Sequence, residues 1–413
     1  MKLTVVIPTR ERANTLQHSL ATVVAQDYAD LTILVSDNAS TDNTRAVIES
    51  FKDSRIRYIN PGKRLSMSHH WEFALTHVQD GYVMVIGDDD GVVPGGILRI
   101  ASLLAQYDSP DAMICSKCLF FWENASAHFK HHEIPSRSLR FKLSDQVEWL
   151  DSQTMLHRLS AQKTGYQSLP SIYRGVVKTT VITRAMRSGV FFRSINPDIY
   201  SAVAVAAVTK RYLLVEQPFA IEGVSENSTG LSALNARPAS TQATVTPAAE
   251  FLGEENIPWH PKLPKLLLLA FCNAEAIMQA RDAGLLPDDF PVDIPALMFA
   301  SLKEVEGKSD GGGRPLQEQL RTAAAVHGIA LQFGSTSANS HKLSDFAPVK
   351  NHWRTGNISG RCPPNVATVA DAAVFLNRFL RWRKLLLGVT GLWTAGSMLK
   401  RCLLRKKSPT ISC

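Results

Sequence analysis

Three consecutive carboxylates, Asp88, Asp89 and Asp90, end an apolar run in the stretch "VMVIGDDDGVVPGG" from Val83 to Gly96. Like charges this close raise one another's pKa and cost stability unless something positive sits against them. The residues alone leave two readings open. One is a solvated turn in which Asp-Asp-Gly is only punctuation. The other is a hard-cation site, because Mg²⁺ and Mn²⁺ take carboxylate oxygens and share them with substrate phosphates. Two further polar clusters follow apolar runs in the same way: "PTRER" after "LTVVI" (Leu3–Ile7) and "SDNASTD" after "LTILV" (Leu31–Val35). A separate pair, Cys115 and Cys118, forms a C-x-x-C followed by His128, His131 and His132. Zinc could use such ligands, but there is no second C-x-x-C and "AMICSKCLFFW" reads as a buried strand.

The elements that must position these clusters are legible in the first 110 residues. Leu3–Ile7, Leu31–Val35, Arg55–Ile59 and Tyr82–Ile86 are short and rich in β-branched residues, as strands are. Between them, Ala13–Gln26, Thr41–Phe51 and Ser66–Thr76 carry apolar residues at helical spacing. Strands alternating with helices predict βαβ units and a largely parallel sheet. In such sheets ligands sit beyond the carboxyl ends of the strands, which is where the polar clusters fall.

At 413 residues the chain predicts two domains with appendages. Mixed α/β character returns over Pro170–Gly230, where "NPDIY" (Asn196–Tyr200) leads into a run of small residues. A Pro/Ala/Thr-rich linker then precedes the helical patterns Pro261–Ala283, Ile294–Glu306 and Leu316–His327. The net charge of +8 is concentrated at the end: Arg378–Lys407 holds nine Lys/Arg and no Asp/Glu. The main body is therefore near neutral, which argues against nucleic acid as a partner. Six scattered cysteines make no disulfide framework, and Met1 leads straight into the strand-like "KLTVVIP" without a charged-then-apolar leader. A reducing, cytoplasmic setting is the expectation.

The ordered set "VVIPTRERANTL", "LVSDNASTDNT" and "VIGDDDGVVPGGI" resembles the family 2 glycosyltransferases over 1–230. The resemblance implies a GT-A fold: an α/β, mixed but mainly parallel sheet flanked by helices, here with a helical C-terminal region. It implies a metal-dependent, inverting enzyme that uses a nucleotide-diphosphate sugar, with UDP the favoured nucleotide. The acceptor would be a saccharide or lipid-linked glycan in surface polysaccharide or glycolipid synthesis.

Carried onto this chain, Thr9, Arg10 and Glu11 would lie along the nucleotide, Asp37 would face the base or ribose, and Arg64 would approach the diphosphate. Counting back from Pro94, the metal-binding Asp of the usual Asp-x-Asp aligns with Asp89, and Gly87 stands where its first Asp belongs. Asp88 would then serve the sugar or ribose, with Asp90 supporting Asp89 in holding Mn²⁺ or Mg²⁺. The family often has paired acids in its second motif, where Ser36 stands here. The bland roles are a solvated loop for "TRER" and a helix cap for "SDNASTD".

Inverting transfer needs a carboxylate outside the metal site to take the acceptor proton. The family supplies it as an acid opening a helix, and Asp198 stands there. Its bland role is a helix N-terminal acid favoured by the macrodipole.

The expected organisation is a glycosyltransferase domain over 1–235, a mainly helical accessory region over 236–360, and a basic amphipathic tail over 361–413. In the tail, four cations precede and five follow the 15-residue uncharged segment Leu385–Leu399. That is shorter than the ~20 apolar residues a spanning helix needs. An interfacial helix on an anionic membrane, with Trp382 and Trp393, or a packed terminal helix are the two readings. The rival functions are a catalytically inactive, membrane-docked nucleotide-sugar binder and a sugar-nucleotide nucleotidyltransferase. The latter's glycine- and arginine-rich opening loop ending in Lys is missing from "PTRERANTL". A dehydrogenase is disfavoured because no G-x-G-x-x-G follows the first strand.

Overall fold

The computed structural model describes residues 1–116, 118–123, 125, 133–134, 147–226, 228, 259–306, 313–333, 360–361 and 366–381. The predicted N-terminal alternation forms. Strands β1 (Leu3–Thr9), β2 (Leu31–Asp37), β3 (Ile56–Ile59) and β4 (Tyr82–Val85) alternate with helices α1 (Ala13–Val24), α2 (Thr44–Ser50) and α3 (Met67–Leu75). Then come β5 (Gly91–Val92), α4 (Gly96–Gln106), β6 (Ala112–Cys115), β7 (Leu119–Phe121), β8 (Glu133–Ile134) and β9 (Val147–Asp151). Next are α5 (Ser152–Ser160), a 3₁₀ turn (Tyr166–Ser168), β10 (Val176–Lys178), α6 (Thr179–Ala185), α7 (Pro197–Val208), β11 (Arg211–Val215) and β12 (Ala220–Val224). The later described elements are α8 (Leu269–Asp282), α9 (Ile294–Glu306), α10 (Gly313–Val326), β13 (Gly360–Arg361) and a helix over 369–381.

The main sheet has eight strands in the order β3-β2-β1-β4-β10-β6-β11-β9. β1 to β4 run parallel, β6 and β11 are parallel to each other, and β10 and β9 run against their neighbours. Because β10 is antiparallel to both β4 and β6, those two strands point the same way. The carboxyl ends of β1, β2, β4, β6 and β11 therefore share one edge. A second sheet, β13-β8-β7-β12-β5, lies beyond it.

Alternating side chains along the strands bury both faces of the main sheet. Leu3, Val5, Ile7, Ile33 and Val35 pack with Leu16 and Leu20 of α1, Ile48 of α2 and Ile97 and Ile100 of α4. Val6, Leu34, Val83 and Val85 pack on the opposite face with α3, α5, α6 and α7. α7 starts with Pro at its first position, where no N–H is needed. Its small-residue run lets neighbouring helices approach closely, and it is buried over most of its length.

The accessory and C-terminal segments both reach this core. α8 is apolar around most of its circumference: Cys272, Ala276 and Ile277 join the α7 layer, while Phe271 and Ala274 pack with α9 and α10. α9 forms over the predicted span, whereas only the second part of Pro261–Ala283 is helical. Pro264 lacks the N–H that a helix interior requires. The helix over 369–381 places Val369, Ala372, Ala373 and Leu376 with Val93, just past β5, and with Phe120 and Ile221 of the second sheet. From 382 onwards the predicted basic tail lies outside the described residues, as do His128, His131 and His132. Cys115 and Cys118 carry reduced thiols.

Candidate active site

Strand register assembles one side of the sheet edge. Thr9 and Asp37 are the last register partners of β1 and β2, and β4 pairs with β1 up to Val6↔Val85. Three residues further on, Asp88 comes level with Thr9, whose hydroxyl donates to Asp88 Oδ2 at 2.7 Å. The triplet is buried. Each of its carboxylates has different partners, and those partners explain why the chain tolerates three in a row.

Asp88 receives the Arg12 guanidinium on Oδ1 at 2.9 Å, and the same nitrogen lies 3.8 Å from Asp89 Oδ2. Burial opposes the Arg12 charge, but Asp88 and Asp89 outweigh it and hold the proton more tightly than usual. Burial pushes the Asp88 carboxyl above the usual range against the pull of Arg12. Asp89 Oδ2 takes the hydroxyls of Ser225 and Ser228, each at 2.6 Å. Asp89 also accepts the Trp122 indole N–H on its main-chain oxygen at 3.1 Å.

Asp90 uses both oxygens on the backbone: Gly87 N–H at 2.7 Å and Gly223 N–H at 2.8 Å. Burial pushes its carboxyl up to about 7. Gly223 has to be glycine, since a Cβ there would stand 1.7 Å from the Asp89 carbonyl oxygen.

The loops after β1 and β2 are clamped together. The Glu11 carboxylate accepts the Thr41 N–H at 2.7 Å and the Asp42 N–H at 3.2 Å, and Glu11 N–H donates to Ser40 Oγ at 2.9 Å. Asp42 in turn accepts the Ala13 N–H that starts α1 and the Thr44 N–H that starts α2, each at 3.0 Å. One carboxylate thus satisfies two helix N-termini. Asp37 accepts from Ser40 N–H at 3.0 Å, Tyr58 hydroxyl at 2.8 Å and the Asn60 amide at 3.3 Å. The Asn38 side chain exchanges two 2.8 Å hydrogen bonds with the Leu65 backbone. That exchange pins the segment carrying Arg64, which is exposed, beside the end of β2. Behind them, buried His70 pairs with the Ser36 hydroxyl at 2.8 Å, and burial lowers its pKa to about 4. Ser36, at the position of the first acid of the pair, is therefore a partner of an uncharged histidine. Arg10 is half-buried.

Asp198 opens α7 on the same edge but has its own neighbourhood. Its Oδ2 accepts the Tyr166 hydroxyl at 2.7 Å, and burial raises its carboxyl above the usual range. Between Asp198 and the triplet lies Arg174, which pairs with Glu222 at 2.5 Å and stacks 4.5 Å over the Tyr173 ring. Burial works against the Arg174 charge, yet Glu222, Tyr173 and Asp90 outweigh it. The structure thus brings Thr9 and Asp88 into contact, sets Glu11 on the loop after β1 and Asp37 at the end of β2, and gives Asp198 a partner of its own in Tyr166. Arg12, Ser225, Ser228, Tyr166 and Arg174 were not singled out from sequence. Arg12 lies inside "VVIPTRERANTL", whereas Tyr166 and Arg174 carry no local signal.

A divalent cation fits this donor set. Asp89 offers a buried carboxylate beside two serine hydroxyls, all hard oxygens, with the Arg12 guanidinium 3.8 Å away on one side. Among the described residues no group of three or more His, Cys, Asp or Glu is arranged to cage an ion. A cation here would therefore need phosphate or water oxygens as further ligands.

The chain resembles several characterised proteins. The GalNAc(5)-diNAcBac-PP-undecaprenol beta-1,3-glucosyltransferase of Campylobacter jejuni is 29% identical over 132 residues, covering 31% of this chain and 42% of that protein. Validoxylamine A glucosyltransferase of Streptomyces hygroscopicus is 31% identical over 139 residues, covering 32% of each. The chain therefore spans less than half the length of these curated relatives. The solved S. aureus TarS 1–349 in complex with UDP-GlcNAc is 12% identical, with a TM-score of 0.43 over 80% of this chain and 93% of that one. Residues 4–158, which carry β1 to β4 and the aspartate triplet, match the model of the family described as Glycosyl transferase family 2, so the N-terminal part of the chain is similar to that family.

Proposed function

We propose that the protein moves a sugar from a UDP-linked donor to a saccharide or lipid-linked acceptor, with inversion, in the synthesis of a surface polysaccharide or glycolipid. The observation that carries this reading is the convergence on one sheet edge of Thr9, Asp37 and the Asp88–Asp90 triplet, with a separate carboxylate, Asp198, opening a helix beside them. Relatives named as glucosyltransferases of undecaprenol-linked substrates favour the same acceptor class.

In this reading Thr9 and Arg10 lie along the nucleotide. Glu11 holds the two loops that bound it, and Asp37 faces the base or ribose. Arg64 approaches the diphosphate, and Asp88, fixed by Thr9 and Arg12, meets the ribose or sugar. Asp89 would hold Mn²⁺ or Mg²⁺, with Asp90 supporting it by fixing the turn through the Gly87 and Gly223 amides. When bound, such an ion neutralises charge on the leaving diphosphate. Asp198 accepts the proton of the acceptor hydroxyl as that oxygen attacks the anomeric carbon. Its side-chain partner is Tyr166 and no member of the triplet, which leaves it uncommitted to a metal.

The test is UDP release from a panel of UDP-sugars, with and without Mn²⁺, using water or added glycosides as acceptors. Mn²⁺-stimulated release from one sugar is the expected result. Mn²⁺-dependent UDP binding without release from any sugar would instead make the protein a nucleotide-sugar binder.

We place the protein at the cytoplasmic face of an anionic membrane, reached through the basic segment Arg378–Lys407. No described helix is long and apolar enough to cross a membrane. The full chain should sediment with anionic vesicles at low salt and be partly released at high salt. A chain ending at Trp382, which keeps the packed helix over 369–381, should remain in the supernatant. Equal sedimentation of both would reject this placement.

A further inference from the structure

We infer that Tyr166 is a positioning residue for the proton-accepting carboxylate, an inference that rests on Asp198 being the base. The 3₁₀ turn Tyr166–Ser168 lies against α7, and the Tyr166 hydroxyl donates to Asp198 Oδ2 at 2.7 Å. Among the described residues no other side chain donates to the Asp198 carboxylate. The tyrosine thus fixes the rotation of the carboxylate and occupies one oxygen, leaving Oδ1 for the acceptor hydroxyl. α7 starts only one residue earlier, at Pro197, so the backbone under Asp198 is already rigid. The side-chain torsion is the freedom that remains, and Tyr166 restricts it together with the Ile199 backbone N–H.

The surroundings make that bond matter. Arg174, from the segment before β10, faces both Asp198 and Tyr166, and its ion-pair partner Glu222 on β12 faces Tyr166. Cys272 of α8 lies on a further side of the carboxylate. Burial disfavours the charged form of Asp198, whereas the Tyr166 bond, the Ile199 backbone N–H and Arg174 favour it. A base must be ionised to take a proton. The tyrosine therefore sets both the direction of the carboxylate and the pH at which it becomes competent. Seven residues past Tyr166, Tyr173 faces the metal-side carboxylates Asp90 and Asp89 instead, so the two tyrosines serve opposite sides of Arg174.

The experiment is Tyr166→Phe in the full chain, with turnover measured across pH on the UDP-sugar selected above. The acid limb of kcat should move to higher pH by about one unit, with turnover below the limb reduced roughly tenfold, as expected on losing a hydrogen bond to a charged group. Calorimetric UDP affinity with Mn²⁺ should not change. In an Asp198→Ala background Tyr166→Phe should cost nothing further. Replacing Tyr166 with 3-fluorotyrosine keeps the ring in place and makes its hydroxyl a stronger donor, so the limb should move the other way. A limb fixed in both Tyr166 variants, or an equal loss in the Asp198→Ala background, would overturn the inference. Wild-type turnover in Asp198→Ala alone would reject the base reading itself.

Discussion

The two sides of this sheet edge that we propose for donor and acceptor are built differently. On the donor side each candidate residue follows directly on the strand that carries it: Thr9 ends β1, Asp37 ends β2, and Asp88 stands three residues past β4. Their neighbours come mostly from adjoining loops, and the parallel register alone brings Thr9 and Asp37 level. On the acceptor side the partners come from distant parts of the chain. Tyr166 meets Asp198, Arg174 meets Glu222, and Glu275 of α8 accepts the Ser194 hydroxyl at 2.5 Å just before α7. On the donor side strand order brings Thr9, Asp37 and Asp88 together, although Asp89 and Asp90 also take partners from β12 and beyond, whereas the acceptor side rests wholly on packing between distant segments.

The sharpest break in that comparison is a pair of isosteric changes. Asp198→Asn should lower turnover by roughly 10²–10⁴-fold, the value of general base help, while Mn²⁺-dependent UDP affinity stays intact. Asp89→Asn should abolish that affinity together with turnover. Calorimetric titration beside initial rates separates the two, and identical profiles for both variants would erase the distinction between the sides.

Stability gives the next test. Arg12 is buried against Asp88, and removing one partner of a buried ion pair strands the other. Arg12→Ala should cost about 3 kcal/mol in denaturant unfolding. Far smaller losses would show that water reaches Asp88.

A smaller effect is a difference in acid response. The unfolded chain protonates His70 near 6.5, but burial delays this in the folded protein to about 4. Between those values the unfolded state binds more protons, so stability is fully present above 6.5 and falls as pH drops towards 4. The change should amount to about 3 kcal/mol across the window, and His70→Gln should flatten it. Asp198 has the opposite sign, because its raised carboxyl is protonated in the folded state before the unfolded one. Acid should therefore weaken the donor side through His70 without loss from Asp198.

The smallest effect belongs to Tyr58→Phe, which removes one hydrogen bond from Asp37 and should cost about 1 kcal/mol. A parallel drop in UDP affinity would mark Asp37 as needing that tyrosine to face the nucleotide.

By itself the sequence determined the elements whose signals are local. Alternating β-branched runs and amphipathic helices set the strand order from β1 to β4, and a parallel sheet has to gather the polar strand ends on one edge. That is why Thr9, Asp37 and the aspartate triplet could be named together. Tertiary structure alone decided what each carboxylate touches. Whether Asp90 faces an ion or two backbone amides depends on β12 arriving with a glycine at 223, 133 residues away. Tyr166 and Arg174 left no trace in any motif, because a hydroxyl or guanidinium becomes a site residue only when folding brings it beside a buried charge. The segment 366–381 read as the start of a basic tail because Arg378 and Arg381 dominate its charge. Its apolar residues Val369, Ala372, Ala373 and Leu376 found a partner only once β5, β7 and β12 had formed a surface beside the candidate active site.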